Sequence, residues 1–277
     1  MLKDITLGQY YPADSAVHKL DPRVKLVATV VFIISLFVFR SISSYLTATL
    51  FLAGVIRLSK VPFRYMVKGL KTIFILMLIT VAFNLFLTDG TPVLQIWKLT
   101  ITLEGIRTAA FMAIRLVYLI IGSSVMTLTT TPNDLTDGME KGLRFLKKIH
   151  VPVHEIAMIM SIALRFIPIL MEEADKIMKA QMARGADFES GNIIRRAKNM
   201  VPLLVPLFIS AFRRANDLAM AMEARGYHGE EGRTKMRPLE YKRRDRIAYL
   251  ILAAYLAAMF VVNRYIKIEL LFSAWLG

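Results

Sequence analysis

The sequence predicts an all-α, polytopic membrane protein with about five transmembrane helices and a helical domain outside the lipid. Hydrophobic residues fill 56% of the 277 positions and the mean hydropathy is +0.50, whereas soluble domains average about 45–50% apolar residues. Charged residues still account for 21%, which is too many for a chain that lies wholly in lipid. Apolar spans that alternate with water-facing segments explain both numbers.

The charge and the cysteine count narrow the classes of function. The chain has 36 Lys and Arg against 21 Asp and Glu, a net charge of +15, which suits an anionic cytoplasmic leaflet or acidic partner proteins. It has no cysteine, so disulfides, thiolate metal sites and cysteine nucleophiles are excluded. The opening segment, Met1–Arg23, contains no short apolar core behind a basic cap, so we expect no cleaved signal peptide.

Five apolar stretches approach the roughly 17–25 residues that a helix needs to cross a bilayer. The second stretch is marginal, and it counts as a span only if Arg57 extends to the membrane surface. The five predicted spans are Val24–Phe39, Ile42–Leu58, Gly69–Leu87, Gly105–Thr127 and Ile247–Val262.

Loop charges predict the orientation of these spans, because short cytoplasmic loops collect Lys and Arg. Three basic residues precede the first span and three lie between the second and third, whereas the loop from Thr88 to Glu104 has only Lys98. We therefore expect a cytoplasmic N-terminus and an external C-terminus in the plasma membrane. The six basic residues are Lys3, Lys19, Arg23, Lys60, Arg64 and Lys68.

Most of the charge lies between the fourth and fifth spans. Residues 131–246 hold 21 of the 36 basic residues, so the predicted domains are 1–130 (four spans), 131–246 (cytoplasmic) and 247–277 (fifth span and external tail). Two apolar runs in the middle domain, Val151–Met171 and Val201–Phe212, are interrupted by charge or by proline. We interpret them as amphipathic helices that pack on each other or lie at the membrane surface, rather than as spans.

A short pattern occurs twice in this cytoplasmic domain. Ala183-Arg184-Gly185 and Ala224-Arg225-Gly226 each follow a run of good helix formers. Glycine just past a helix is the usual left-handed cap, and arginine in the last turn suits the helix dipole. A single copy is most simply an ordinary helix end. Two copies at a period long enough for a helical hairpin predict two helix tips, each of which presents a guanidinium.

A planar guanidinium on a rigid tip can bind a carboxylate with two hydrogen bonds, so an acidic cleft on another protein is the favoured ligand. Phosphate or nucleic acid is the rival ligand. A nucleic-acid surface needs many phosphate-contacting bases and stacking aromatic side chains, and few aromatic residues lie among these arginines. We therefore expect protein partners and no nucleic acid.

Nearly the whole chain resembles the transmembrane T component (EcfT) of energy-coupling factor transporters, which are ATP-driven importers of vitamins and metal ions. The resemblance rests on ITLGQYYPADSAVHKLDPRVKL, TTTPNDLTDGMEKGL, ALRFIPILMEEADKIMKAQMARGADF and RANDLAMAMEARGYHG. It implies that the twin motifs end two coupling helices and that each arginine docks into one of two ABC-type ATPase subunits. It also implies a substrate-binding membrane S component as a partner, membrane lipids around the spans, and no cofactor here, since ATP and Mg are bound by the ATPases.

If several substrate subunits share the coupling surface, that surface should be apolar and adaptable. Methionine packs against varied shapes, and the middle domain is rich in it. The alternative is that these methionines form ordinary core packing. The candidate contact residues are Met158, Met160, Met171, Met178, Met182, Met200, Met220 and Met222.

Other chemistry has little support in the sequence. No GxxxxGK[ST] phosphate loop or GxSxG nucleophile motif occurs, so we expect a non-enzymatic subunit. His150 and His154 stand four positions apart, but Pro152 indicates that a helix only begins there, and we expect no metal site. Arg115 is a charge well inside a span, with Asn84 as a possible neighbour, and it lies on a substrate path, makes a structural hydrogen bond across helices or contacts the substrate-binding subunit. A stand-alone channel or carrier, and a membrane-bound enzyme, remain the alternatives.

Overall fold

A computed structural model describes residues 9–39, 41–96, 99–188, 198–229 and 238–265, together with residues 192, 194 and 236. The regular structure of the described chain is helical apart from one small hairpin, which confirms the all-α prediction. In chain order the elements are α1 (Pro22–Val38), α2 (Ile42–Ser59), α3 (Phe63–Leu87), β1 (Pro92–Ile96), β2 (Leu99–Thr102), α4 (Leu103–Thr129), α5 (Pro132–Gly142), a 3₁₀ turn (Arg144–Ile149), α6 (Val153–Ala183), α7 (Val201–Ala224) and α8 (Arg243–Tyr265).

Each predicted span lies on a helix. Among the described residues, four helices are long and apolar enough to cross a membrane, and there are five if the two straight parts of α3, bent by 63°, count as one span. The four are α2, α4, α6 and α8. The marginal second span is therefore a regular 18-residue helix. Helix α1 has 17 residues, the lower limit for a bilayer core of about 30 Å.

Helix α6 is not among the five predicted spans, yet it meets the same criteria of length and composition. Charge and proline interrupt the apolar run in the sequence but not the helix, which runs through Pro168 just as α7 runs through Pro206. Only 6% of the residues in the most apolar 18-residue stretch of α6 are buried by the rest of the chain. That apolar surface needs a cover of lipid or protein.

The antiparallel hairpin β1–β2 lies between α3 and α4, and we predicted no strand there from the sequence. Its second strand leads directly into α4, whose N-cap is Thr102. The Thr102 hydroxyl accepts from the backbone N–H of Gly105 at 3.0 Å and donates to the Thr88 carbonyl at 2.8 Å. The hairpin thereby ties the end of α3 to the start of α4.

The described residues form two compact units, of which the first contains 9–138 and 239–265. In it, α4 packs along α3, and α1, α2 and α8 complete the bundle. The contact face of α2 carries the small buried residues Ser43, Ser44 and Ala48. Small residues let helices approach closely, which matters in lipid because burying apolar surface between helices gains little there. Gly122 of α4 likewise allows a close approach to the Phe32 ring of α1.

Buried charges join three helix ends of this first unit. The Lys25 ammonium donates to the Thr129 carbonyl at 2.7 Å and so caps the C-terminus of α4. Asp245, which is 1% exposed, accepts from the backbone N–H groups of Asp21 (2.8 Å) and Lys242 (2.7 Å), so it caps the start of α8 and binds the start of α1. Burial of these polar groups is tolerated because each of them has a hydrogen-bond partner.

The second unit contains the described residues from Met139 to Pro238. Helices α6 and α7 pack against each other in it, and the 3₁₀ turn contacts α6. The predicted boundaries of the cytoplasmic domain, 131 and 246, stay predictions. Lys3, Lys98 and the predicted external tail beyond Tyr265 lie outside the described residues.

Candidate functional site

Helix α6 ends at the first Ala-Arg-Gly sequence with a complete Schellman cap. Arg184 is the last residue with near-helical backbone (φ −88°, ψ 5°), and Gly185 follows with φ +90°. The Gly185 N–H donates to the Met182 carbonyl at 3.0 Å, and the Ala186 N–H donates to the Gln181 carbonyl at 2.9 Å. This pair of bonds satisfies carbonyls that would otherwise be free at the helix end.

Helix α7 ends at the second Ala-Arg-Gly sequence in the same way. Arg225 has φ −91° and ψ 9°, and Gly226 has φ +72°. The Gly226 N–H donates to the Glu223 carbonyl at 2.8 Å, and the Tyr227 N–H donates to the Met222 carbonyl at 3.0 Å. The two sequence copies are therefore two copies of one backbone structure.

Backbone conformation, and not space, makes glycine necessary at both ends. A Cβ atom built on Gly185 or Gly226 has no atom within 4 Å. Both residues lie in the left-handed region, where a side chain clashes with its own backbone. Glycine thus fixes the direction in which the chain leaves each helix.

The arginine side chains project from these ends. Ala183, Arg184, Ala224 and Arg225 are all exposed, and within the described part of the chain neither guanidinium has a hydrogen-bond or ion-pair partner. Each guanidinium keeps all five N–H donors for an external acceptor. The geometry fits a carboxylate that approaches the helix end.

The candidate methionines lie on or beside both helices and differ in exposure. Four are clearly exposed and the other four are partly buried, so no single description fits the set. Their predicted role in contacting another subunit stays a prediction. The exposed ones are Met160 (44%), Met182 (48%), Met200 (47%) and Met220 (61%), and the partly buried ones are Met158, Met171, Met178 and Met222.

Arg115 and Asn84 do not form a pair. Arg115 is buried in the first unit, where its Nε donates to the Tyr45 hydroxyl at 3.0 Å and its guanidinium lies 5.3 Å from the centre of the Phe37 ring. Asn84 donates to the Thr80 carbonyl of its own helix at 2.8 Å. Arg115 therefore makes the structural hydrogen bond across helices, and the two residues lend no support to a transport path.

The two histidines also separate. Helix α6 begins at Val153, just after Pro152, as the sequence predicts. His150 lies before it in a left-handed conformation (φ 62°), whereas His154 contacts the Glu140 carboxylate through Nδ1 at 2.9 Å. His154 therefore joins α5 to α6.

One contact between the two helices was not predicted from the sequence. The Arg214 guanidinium of α7 donates to the Glu173 carboxylate of α6 at 2.7 Å. These residues are 41 positions apart, which is also the separation of Arg184 and Arg225. The sequence shows that the two residues occupy corresponding positions of the two copies, but no pattern in one sequence shows that such positions touch.

The chain is similar to known proteins along most of its length. The family model described as "Cobalt transport protein" (CbiQ) matches residues 13–236. A protein of Clostridium kluyveri is 60% identical over 90% of this chain and 93% of its own length, and one of Thermosediminibacter oceani is 49% identical over 96% and 100%. One of Bacillus subtilis is 48% identical over 92% and 98%. All three are named "Energy-coupling factor transporter transmembrane protein EcfT". The chain therefore belongs to the family of energy-coupling factor transporter transmembrane proteins.

Proposed function

We propose that this chain is the coupling subunit of an ATP-driven importer of vitamins or other micronutrients, and that it links two ABC-type ATPase subunits to a substrate-binding membrane subunit. The observation that carries the proposal is the pair of matching helix ends, each of which presents an exposed arginine behind a Schellman cap. One tip serves each ATPase. The chain itself is non-catalytic, and ATP and Mg are bound by the partners.

A rigid connection must carry the nucleotide-driven movement to the membrane. Two ATPase subunits that close on ATP do work only on something attached to both. A helix transmits force along its axis because its backbone hydrogen bonds are internal, and the cap keeps the last turn from fraying. Closure of the ATPases would therefore move α6 and α7 relative to each other.

The substrate-binding subunit would sit on the apolar surface of these helices. Large apolar residues on α7 are exposed at helical spacing, namely Leu204, Val205, Phe208 and Phe212 (52–66%). Exposed Met160, Met200 and Met220 extend this apolar surface, and methionine adapts to different partners. Movement of α6 and α7 would then tilt the bound subunit and change the side of the membrane to which its site opens.

The proposal includes an orientation in the plasma membrane. Both arginine tips lie on the cytoplasmic side, the N-terminus is cytoplasmic and the C-terminus is external, in keeping with the loop charges. Lipid surrounds the exposed apolar faces of the spanning helices.

The decisive experiment is the double variant Arg184→Glu with Arg225→Glu in the assembled transporter. We expect loss of uptake and loss of ATPase co-purification, while the amount of the chain in the membrane stays unchanged. Arg184→Lys with Arg225→Lys should also weaken association, because ammonium lacks the planar fork that binds carboxylate with two bonds. Lys179→Glu, at an exposed site five positions before Arg184, is the matched control and should leave association intact. Full ATPase co-purification with the double glutamate variant would refute the proposal.

A further inference from the structure

Helices α6 and α7 contact each other through positions that are equivalent in the two repeats. Glu173 precedes Arg184 by the same number of positions as Arg214 precedes Arg225. The Arg214 Nη2 and Glu173 Oε2 atoms are 2.7 Å apart. When two similar units contact each other through the same position of each unit, that contact indicates a local two-fold symmetry between the units.

Because Glu173–Arg184 and Arg214–Arg225 are equal separations in the sequence, both arginine tips lie at the same distance along their helices from this contact. The helix between the contact and each tip extends about 16 Å at a rise of roughly 1.5 Å per residue. The tips of α6 and α7 thus lie at equal distances along their helices from one shared point, Glu173–Arg214. Two matching arms of equal length fit a partner that is itself a pair of related subunits.

The charges at the contact also fit this interpretation. At a two-fold contact between identical repeats the same side chain would face itself, and like charges at close range repel. Here the first repeat has Glu172 and Glu173 where the second has Arg213 and Arg214. The repeats are alike at the tips and have opposite charges at the point where they touch.

We propose that the Glu173–Arg214 ion pair is the pivot that sets where α6 and α7 cross, and so fixes the separation of the two arginine tips. The two residues are positioning residues, which act through Arg184 and Arg225. The proposal rests on the proposed function for its effect on transport, but the geometry itself is a property of this chain. The side chains are 29% (Glu173) and 38% (Arg214) exposed, and an ion pair this exposed adds little to overall stability. Its role is therefore geometric.

The test uses the absence of native cysteine. Spin labels are attached at Met182→Cys and Glu223→Cys, which are exposed, equivalent positions at the ends of the two helices. The distance between the labels is then measured by electron paramagnetic resonance in the full chain in nanodiscs. We expect one narrow distribution for the parent chain. Glu173→Arg and Arg214→Glu, each alone, should shift or broaden it by several ångströms, and the charge-swapped double variant should restore it.

Transport supplies the second arm of the test. In the assembled transporter, each single reversal should lower uptake at least tenfold, and the swapped pair should recover it to within about twofold of the parent. Glu172→Arg makes the same charge change one position away and should leave both the distance and uptake unchanged. An unchanged distance in both single variants, or a swapped pair that fails to restore it, would overturn the pivot. If the proposed ATPase docking alone is wrong, the distances still respond as expected and only the uptake arm fails.

Discussion

Replacing the capping glycines by alanine should open both helix ends without removing any side chain that contacts a neighbour. A Cβ atom at Gly185 or Gly226 meets no atom within 4 Å, so the expected effect comes from the backbone alone. At φ +90° and +72° an L-residue is disfavoured by about 1–2 kcal/mol relative to glycine. That free energy corresponds to a roughly 5- to 30-fold change in the ratio of capped to open ends.

Amide hydrogen exchange measures this ratio directly. In the capped end the Ala186 N–H is bonded to Gln181, and the Tyr227 N–H is bonded to Met222. Exchange through local opening reports the free energy of that opening. We therefore expect Gly185→Ala to speed exchange at residue 186 by about 5- to 30-fold, and Gly226→Ala to do the same at residue 227. Under the proposed function, association with the ATPases should also weaken in both variants, because the arginine is then held on a disordered last turn.

Gly229 provides the matched control, since it has a similar backbone (φ +98°) and equally open surroundings but lies beyond the cap. Gly229→Ala should leave exchange at residue 227 and ATPase association unchanged. Gly185→Asn should fall between glycine and alanine, because asparagine tolerates the left-handed region better than alanine does. The capping explanation is wrong if Gly185→Ala leaves exchange at residue 186 unaltered, or if Gly229→Ala speeds exchange at residue 227 as much as Gly226→Ala does.

Two further predictions concern the first unit, and thermal unfolding of the detergent-purified chain checks both. Asp245→Ala leaves two backbone N–H groups without their acceptor, so it should destabilise the fold by about 2–4 kcal/mol. Asp245→Asn should destabilise it by less. Equal melting temperatures for Asp245→Ala and the parent would contradict this prediction. Gly122→Ala places a Cβ 2.8 Å from the Phe32 ring, which should destabilise the α1–α4 contact by about 1–3 kcal/mol. Gly54→Ala, a helix position with no atom within 4 Å, should instead stabilise slightly, and a loss there equal to that at Gly122 would refute the packing explanation.

Local patterns explain why much of the candidate site could be predicted. A run of helix formers followed by Ala-Arg-Gly contains its own stop signal, since glycine has access to φ values that other residues avoid. Gly185 and Gly226 both adopt that conformation. The start of α6 after Pro152 followed from equally local reasoning, because proline favours the beginning of a helix and opposes its continuation. Such features need no knowledge of distant residues.

Proline inside a helix shows the limit of local reasoning. Pro168 and Pro206 interrupt the apolar runs in the sequence, and proline disfavours a helix interior, yet α6 and α7 continue through both. One missing backbone hydrogen bond is tolerated when the flanking turns stay helical and pack on a neighbour. Packing of α6 on α7 is not visible in either segment alone.

The sequence by itself determined that the five apolar stretches are helical, which family the chain belongs to and where the two glycine-capped helices end, because hydropathy and backbone preference act within a few residues. Only the tertiary structure decided which charged groups meet: Arg115 with Tyr45, Lys25 with the end of α4, and Glu173 with Arg214. Those contacts join residues 41 to 104 positions apart. A charged side chain reaches only a few ångströms, so its partner is set by how the helices pack and not by the residues beside it in the chain.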